Sequence, residues 1–338
     1  MDKVQSDFEL IRKEYLAQIE ESLNSFFKAS AQETGSLCVE MSLYHFETGG
    51  KRLRALIPLV VYKLLGRNPK EAVPLGAAVE MIHNATLVHD DLQDGDEVRR
   101  SRATVWKRYS PAQAINCGDA MFQYAFRLLN RLEVDPARKL KLIDRAASTT
   151  LRVIEGQAQE FAIKDQRFAG LDQYLEVIRG KTSGLFALPI VGAMEALGET
   201  AESCQVVEKA SMDLGMLFQI QDDLLDIYGS KGRDRVATDV AEGKISIFVA
   251  HVNQVGGHDD KEKLAQILRK SRGATTDKDI QEALAIFARY DAKGMAVRYI
   301  RDIQNKIAVD ASLKKYPEYR GLLIGLGELF LEPVHAIL

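Results

Sequence analysis

Two short acidic motifs hold the residues best suited to chemistry in this sequence. Both follow the pattern Asp-Asp-x-x-Asp, one at residues 90–94 and one at residues 222–226. Residues four apart lie on one face of a helix, so the first and last carboxylates of each motif project together. Carboxylates this close repel one another unless a cation lies among them. Their hard oxygen ligands predict Mg²⁺, which binds through one or two carboxylates together with substrate phosphates.

A solvated acidic helix end is the alternative interpretation of either motif taken alone. Two copies favour a functional role, because each follows an apolar run, Val79 to Val88 or Leu214 to Ile220. The dipole at the carboxyl end of a helix disfavours additional carboxylates, so a compensating cation is expected. Gly95 and Gly229 follow the motifs and predict helix ends there. Both motifs are therefore predicted at the mouth of a cavity that the apolar segments line.

Basic residues that could bind phosphate occur at several points of the chain. The segment Gly49-Gly50-Lys51-Arg52-Leu53-Arg54 joins a flexible loop to three cations at a predicted helix start. Backbone N–H groups and positive charge favour phosphate at such a position, although a basic helix start without a ligand is the alternative. Further candidates are Arg99, Arg100, Lys181, Thr182 and Lys244. With two acidic clusters, these cations predict two diphosphates bridged by metal.

The composition is that of an ordinary globular protein. Of 338 residues, 46% are hydrophobic and 28% are charged, with a net charge of −3. These values argue against disorder and predict no nucleic-acid partner. Three cysteines without a CxxC pair indicate a reducing cytoplasm rather than a disulfide scaffold. No apolar run reaches the roughly 20 residues of a membrane span, and no stable membrane anchor is expected.

Helical periodicity dominates the whole chain. Only 8 prolines occur, and apolar residues recur at spacings of three and four without the alternation of a strand. Gly- and Pro-containing breaks predict roughly ten or more helices. Because no segment looks like a linker, residues 1–338 are predicted to form a single all-α domain.

The order of these motifs resembles that of the trans-isoprenyl diphosphate synthases, the polyprenyl synthetase family. The similarity runs from about Gly49 to Ser246. It lies in GGKRLR, HDDLQD with Arg99-Arg100, Lys181-Thr182, FQIQDDLLD, and Thr238-Asp239 with Glu242-Gly243-Lys244. The resemblance implies a helical bundle around a central cavity, usually a homodimer. It also implies a prenyltransferase that joins isopentenyl diphosphate to an allylic diphosphate with about three Mg²⁺ ions per active site.

The resemblance implies a role for each polar residue of the motifs. The metal ligands would be Asp90, Asp94, Asp222 and Asp226, supported by Asp91 and Asp223. Isopentenyl diphosphate would contact Lys51, Arg54, His83 and Arg100. The allylic diphosphate would contact Arg99, Lys181, Thr182, Gln219, Arg235 and Lys244. Three of these, Lys181, Thr182 and Gln219, would also act in catalysis.

Two positions depart from the family pattern. The usual Arg-Arg-Gly after the first motif is Arg99-Arg100-Ser101 here, and Arg235 replaces a lysine. Arginine is a planar fork rather than a point charge, so the second change alters the contact geometry at that position.

Two histidines precede the first acidic motif with different expected roles. His83 is seven residues before Asp90 and shares its helix face, whereas His89 is rotated by roughly a quarter turn. His83 is the site candidate, with a core histidine bonded to backbone as the alternative. His89 is predicted to be structural.

Residues upstream of the first motif bear on product length. Short-chain family members commonly carry an aromatic floor where this chain has Ala85 and Thr86. The resemblance therefore implies geranylgeranyl diphosphate or a longer product rather than farnesyl diphosphate. Ile82, or Phe122 and Phe126 on the next helix, could instead close the channel, although aromatic residues at that spacing are also typical of a core.

Three other functions remain open at this point. A metal phosphohydrolase could use His45, His83 and His89-Asp90, but it leaves the second acidic motif unexplained. A terpene cyclase would need no isopentenyl diphosphate pocket. A non-catalytic regulatory subunit would not need every acidic position intact.

Overall fold

The computed structural model of the protein describes residues 3–166, 168–229 and 237–338. These residues are mostly α-helical, which confirms the predicted all-α class. Within the described ranges, the β-structure is a two-stranded antiparallel hairpin of β1 (Val98–Arg99) and β2 (Arg102–Ala103). Among the described helices, none combines the length and apolarity that a membrane crossing requires.

The chain divides into two compact units. The first comprises Met1–Thr150 and Ala187–Gln205, and the second comprises Leu151–Phe186 and Val206–Leu338. The single domain over residues 1–338 stays a prediction.

The first unit holds the hairpin and a set of helices before it and after it. These helices are α1 (Lys3–Thr34), α2 (Leu37–Phe46), α3 (Leu53–Leu64), α4 (Val73–Gln93), α5 (Val105–Arg108) and α6 (Pro111–Asn130). Helix α4 packs against α1, α3 and α6. Its contact with α3 is close at Gly76, where a Cβ atom would lie 2.3 Å from the carbonyl oxygen of Ala55. A residue without a side chain lets the two backbones approach there.

Three helices contribute residues to both units, and the remaining ones lie in the second unit. The shared helices are α7 (Pro136–Lys164), α9 (Gly184–Leu197) and α10 (Ala201–Tyr228). The helices of the second unit are α8 (Leu171–Ile178), α11 (Thr238–Ala241), α12 (Ile247–Val255), α13 (His258–Leu268), α14 (Asp277–Arg289), α15 (Ala292–Val309) and α16 (Pro317–Leu331). A π-helical turn, Arg179–Ser183, joins α8 to α9. Helix α12 packs against α8 and α15.

The predicted helix ends after both acidic motifs are confirmed. Helix α4 ends at Gln93, two residues before Gly95, which has a positive φ of 71°. Helix α10 ends at Tyr228, immediately before Gly229. Each motif therefore lies in the last turns of a helix.

Candidate active site

The first acidic motif contains one carboxylate that is held by the protein itself. Asp91 is 1% exposed, and its Oδ1 accepts a hydrogen bond from Arg99 Nε at 2.7 Å. Arg99 Nη2 lies 2.6 Å from the same oxygen. Burial raises the pKa of Asp91 to about 6, although the Arg99 cation acts in the opposite direction. Asp90 and Asp94 are half-buried at the same helix end.

Arg99 belongs to β1, so its ion pair with Asp91 fixes the hairpin beside α4. The two turn residues, Arg100 and Ser101, have positive φ angles of 50° and 64°. A two-residue turn of this kind favours Asn-Gly, and each non-glycine residue in the left-handed region costs roughly 1–2 kcal/mol. Ser101 occupies the position where the family pattern has glycine, so this chain keeps the turn with a strained backbone.

The turn residue Arg100 contacts the glycine pair of the first basic segment. Its guanidinium donates to the carbonyl oxygen of Gly49. A Cβ atom at Gly50 would lie 2.6 Å from Arg100 Nη1, so the absence of a side chain admits the guanidinium. The hairpin and the GGKRLR segment are thereby brought together.

Arg52 fixes the position of the same segment, although the sequence indicated only one more cation there. It is 4% exposed and has a left-handed φ of 50° at the start of α3. Its guanidinium contacts Glu20 Oε1 at 2.9 Å and Glu80 Oε1 at 3.4 Å, and it donates to the carbonyl oxygen of Phe46 at 2.9 Å. Asn84 Nδ2 donates to the same Glu80 oxygen at 3.0 Å. The buried charge is thus paired and hydrogen-bonded, as burial requires.

The structure places Arg54, His83 and Arg100 in the first unit, where the charges of both arginines act on the imidazole. Arg54 Nη1 lies 3.2 Å from His83 Nε2, and guanidinium cannot accept a hydrogen bond, so Nε2 accepts and the proton lies on Nδ1. Burial, followed by the charges of Arg54, Arg99 and Arg100, holds the pKa of His83 well below its usual range. Lys51 is exposed next to Gly50. Several cations around a neutral imidazole favour binding of a polyanion.

The second acidic motif repeats the arrangement of the first with different partners. Asp223 is 3% exposed. It accepts hydrogen bonds from Tyr174 Oη at 2.8 Å, Gln219 Nε2 at 3.0 Å and the backbone N–H of Ile247 at 2.9 Å. Burial raises the pKa of Asp223 to about 6, and these hydrogen bonds oppose the rise. Its neighbour Asp222 is half-buried.

The hydrogen bonds of Asp223 extend to the predicted catalytic residues. Gln219 Oε1 accepts from the Thr182 hydroxyl at 2.9 Å. The adjacent Lys181 Nζ donates to Glu160 Oε2 at 2.5 Å. The structure therefore brings Thr182, Gln219 and Asp223 into one network within the second unit.

Asp226, the last residue of the second motif, organises the chain that follows α10. Its Oδ1 accepts from the Thr238 hydroxyl at 2.5 Å, and its Oδ2 accepts from the backbone N–H of Asp239 at 3.0 Å. Each carboxylate oxygen has two lone pairs, so one remains on each oxygen after these bonds. The metal role of Asp226 stays a prediction.

The last two predicted contacts to the allylic diphosphate follow Asp226 in the chain. Lys244 Nζ lies 2.9 Å from Glu242 Oε2, and Arg272 Nη2 lies 3.0 Å from the other oxygen of that carboxylate. Arg235 lies outside the described residues.

The candidate chain-length residues lie on α4 and α6. Ile82, Ala85 and Thr86 are buried on α4, at 1%, 0% and 9% exposure. The Thr86 hydroxyl is used locally, because it donates to the backbone carbonyl three residues back at 2.7 Å. Phe122 of α6 is half-buried, with its ring centroid 5.8 Å from that of His89. His89 thus packs against α6, in agreement with a structural role.

Three residues that hold parts of the candidate site in place could not be singled out from the sequence. Arg52 looks like any cation of a basic segment, and Glu160 looks like one acidic residue on the charged face of a helix. Tyr174 is separated by 49 residues from the carboxylate that it contacts. Only the tertiary contacts identify these three residues.

The acidic motifs supply carboxylate oxygens, which are ligands that Mg²⁺ prefers. Within residues 3–166, 168–229 and 237–338, no group of three or more His, Cys, Asp or Glu side chains is arranged to hold a metal ion. At the first motif, Asp91 Oδ2 is buried without a hydrogen-bond partner. Carboxylates completed by substrate phosphates are the usual donors to Mg²⁺.

The fold and the two acidic helix ends define the class of isoprenoid synthases. A family model described as Polyprenyl synthetase matches residues 36–287. The chain belongs to this family and is a trans-prenyl diphosphate synthase, which confirms the prediction from the sequence. Enzymes of this family use isoprenoid diphosphates and generally depend on Mg²⁺.

Individual relatives agree with this membership. The chain is 31% identical to a short chain isoprenyl diphosphate synthase of Methanocaldococcus jannaschii, over 82% of this chain and 83% of the relative. It is 29% identical to a geranylgeranyl diphosphate synthase of Methanosarcina mazei, over 83% of this chain and 86% of the relative. The crystal structure of a geranylgeranyl pyrophosphate synthetase from Pyrococcus horikoshii matches with a TM-score of 0.82 at 26% identity, covering 98% of this chain and 99% of that one.

Buried His45 of α2 makes the free energy of unfolding depend on pH. His45 is 2% exposed, and burial, followed by the charges of Arg99 and Arg100, lowers its pKa from 6.5 to about 3. Because folding lowers the pKa of His45, its contribution to stability is fully present above pH 6.5. That contribution is lost as the pH falls toward the folded-state pKa. We expect His45 to lower the free energy of unfolding by about 2 kcal/mol between pH 7 and pH 5.

Urea unfolding of the wild type and of His45→Gln at both pH values measures this contribution. The difference between the two proteins is expected to shrink at pH 5, because glutamine does not become charged. The exposed His258, replaced in the same way, serves as the control and should keep the wild-type pH dependence. An identical pH dependence in His45→Gln and the wild type would contradict the assignment.

Proposed function

We propose that the enzyme condenses isopentenyl diphosphate with an allylic diphosphate in the presence of Mg²⁺. The product would be geranylgeranyl diphosphate or a longer trans-prenyl diphosphate. One observation carries the proposal: the cations Arg54, Arg99 and Arg100 surround neutral His83 beside the first acidic motif. Such a cluster of positive charges suits a diphosphate.

The acidic motifs would hold about three Mg²⁺ ions per active site. The metal ligands would be Asp90 and Asp94 of the first motif, together with Asp222 and Asp226 of the second. Asp91 and Asp223 support them from buried positions. When bound, Mg²⁺ neutralises the negative charge of the diphosphates, including the charge that develops on the leaving group.

Isopentenyl diphosphate would bind in the first unit. Lys51, Arg54 and Arg100 supply positive charge, and His83 contributes Nδ1–H as a neutral donor. Because Arg52 pins the loop before α3, Lys51 and Arg54 would meet the substrate without a large loss of conformational freedom. Positioning of this kind supplies much of the acceleration for two bound reactants.

The allylic diphosphate would contact Arg99, Lys181, Thr182, Gln219, Arg235 and Lys244. As the bond between carbon and diphosphate oxygen breaks, the cations stabilise the departing diphosphate. The Thr182 hydroxyl and the Gln219 amide would direct their dipoles toward the allylic cation. The double bond of isopentenyl diphosphate then attacks this cation, and the departed diphosphate accepts the proton that is released.

Product length would depend on the channel beside α4. Ala85 and Thr86 are small residues at the positions where an aromatic floor would stop elongation. Ile82 or Phe122 would be the alternative floor. One relative named above is described as a geranylgeranyl diphosphate synthase, which supports geranylgeranyl diphosphate as a product.

The proposed enzyme is a homodimer in which both units of each chain act as one domain. Leu140, Leu151 and Ile154 of α7 are exposed at 69%, 66% and 51%, and exposed apolar side chains along one helix support a protein partner. A cytoplasmic location stays a prediction.

Replacing a proposed metal ligand is expected to abolish turnover. Asp90→Ala or Asp222→Ala should lower kcat about 10³-fold or more, because charge on the leaving diphosphate is no longer neutralised. The measurement is incorporation of labelled isopentenyl diphosphate at saturating Mg²⁺, with circular dichroism to verify the helical fold. Asp144, which is exposed on α7, provides the matched control, and Asp144→Ala should keep full activity. Near-normal turnover in the two ligand variants would contradict the metal assignment.

Narrowing the channel is expected to shorten the product. Thr86→Phe places a ring where the proposed chain grows, so the main product should lose at least one isoprene unit. Thr86→Val keeps the volume and should leave the product unchanged. Chromatography of the dephosphorylated alcohols measures both. The same product from the phenylalanine variant and the wild type would move the floor to Ile82 or Phe122.

A further inference from the structure

The turn that carries Lys181 and Thr182 has an unusual backbone. Residues Arg179–Ser183 form a π-helical turn between α8 and α9. Such a turn is wider than an α-helix, is rare, and occurs frequently at functional sites. Without support from neighbouring helices, the backbone would relax to the ordinary α-helical spacing. The contacts that hold this turn therefore determine where both side chains point.

Helix α7 contacts the turn at Gly156. A Cβ atom at Gly156 would lie 2.2 Å from the backbone nitrogen of Lys181 and 2.7 Å from the carbonyl carbon of Gly180. Both atoms belong to backbone and cannot swing aside as a flexible side chain would. Gly180 faces the same contact, because its own Cβ atom would lie 3.1 Å from the Cα atom of Gly156.

Helix α10 contacts the turn at Gly215. A Cβ atom there would lie 2.4 Å from the Cα atom of Ser183. The π-helical turn is thus in van der Waals contact with one glycine from each of two helices. Glycine within a helix lowers stability relative to alanine, so both positions sacrifice helix propensity for close backbone contact.

Each glycine is followed four residues later by a polar side chain that holds a functional group of the turn. On α7, Glu160 follows Gly156 and accepts from Lys181 Nζ at 2.5 Å. On α10, Gln219 follows Gly215 and accepts from the Thr182 hydroxyl at 2.9 Å. Residues four apart share a helix face. The two helices therefore contact the turn in the same way. The glycine fixes the position of the turn's backbone, and the residue four positions later orients a side chain of the turn.

We propose that Gly156 and Gly215 are positioning residues for the allylic diphosphate. They hold the π-helical turn so that Lys181 and Thr182 meet that substrate, and we name the pair the glycine clamp. This inference rests on the proposed function, in which these two side chains contact the allylic diphosphate. A methyl group at either glycine displaces the turn and leaves the isopentenyl diphosphate residues of the first unit unchanged.

The test compares KM for the two substrates in Gly156→Ala and Gly215→Ala. Geranyl diphosphate and isopentenyl diphosphate are each varied while the other is saturating. We expect KM for geranyl diphosphate to rise about 10- to 100-fold, because a displacement of about 1 Å can cost that much, while KM for isopentenyl diphosphate changes less than about twofold. Gly321 of α16 is the matched control, since nothing lies within 4 Å of a Cβ atom there. Gly321→Ala should leave both values unchanged.

A general structural role predicts a different result. If the folded clamp variants show equal increases in both KM values, or only a lower melting temperature, the proposal is wrong. Should Gly156→Ala fail to fold, Gly180→Ala decides the question, because its closest contact of 3.1 Å requires a shift of only a few tenths of an ångström. A selective rise in KM for geranyl diphosphate in that variant supports the clamp, and no selective rise overturns it.

Lys181→Ala separates this inference from the proposed function. If Lys181→Ala raises KM for geranyl diphosphate and the folded glycine variants do not, the clamp fails and the proposed contact stands. If Lys181→Ala leaves that KM unchanged, the proposed contact fails, and with it the substrate that the clamp would position.

Discussion

A buried carboxylate is costly unless hydrogen bonds or an opposite charge compensate it, and each acidic motif contains one. In the first motif, Asp91 is compensated by Arg99. That pair fixes β1, and the turn after β1 lays Arg100 on the backbone of Gly49. This ion pair therefore fixes the positions of Arg99 and Arg100, whereas Arg52 fixes the basic segment before α3 through its own contacts. The strained φ angles of Arg100 and Ser101 are sustained by these contacts, since an isolated turn would relax.

The second motif meets the same constraint with neutral donors. Asp223 is compensated by Tyr174, Gln219 and a backbone N–H. Because Gln219 also accepts from Thr182, the buried carboxylate connects the acidic motif to the π-helical turn. In both motifs, the second aspartate is held by hydrogen bonds from the protein itself. Its neighbours at the helix end remain suited to a metal ion that arrives with substrate.

The sequence predicts the candidate chemical groups of these sites better than the residues that hold those groups in place. Residue type and spacing are local properties, so the two acidic motifs, the GGKRLR segment and the Lys181-Thr182 pair stand out along the chain. The helix ends after both motifs were predictable for the same reason, from glycine. The role of Glu160 was not, because it depends on a contact over 21 residues of sequence.

The buried state of Arg52 was equally hidden. Its partners Glu20 and Glu80 lie on two other helices. The sequence of the basic segment does not indicate these contacts. The π-helical turn and the left-handed residues also escape sequence reasoning, since tertiary packing and not local propensity imposes them.

We propose that this chain elongates an allylic diphosphate to at least about 20 carbons and that the acidic motifs make the reaction dependent on Mg²⁺. The most direct measurement incubates purified protein with labelled isopentenyl diphosphate and, separately, dimethylallyl, geranyl or farnesyl diphosphate, with Mg²⁺ or with chelator. The dephosphorylated products are then sized. The proposed function predicts a geranylgeranyl or longer alcohol in Mg²⁺ and no product with chelator. Elongation that stops at farnesyl, persists with chelator or does not occur with any primer would contradict it.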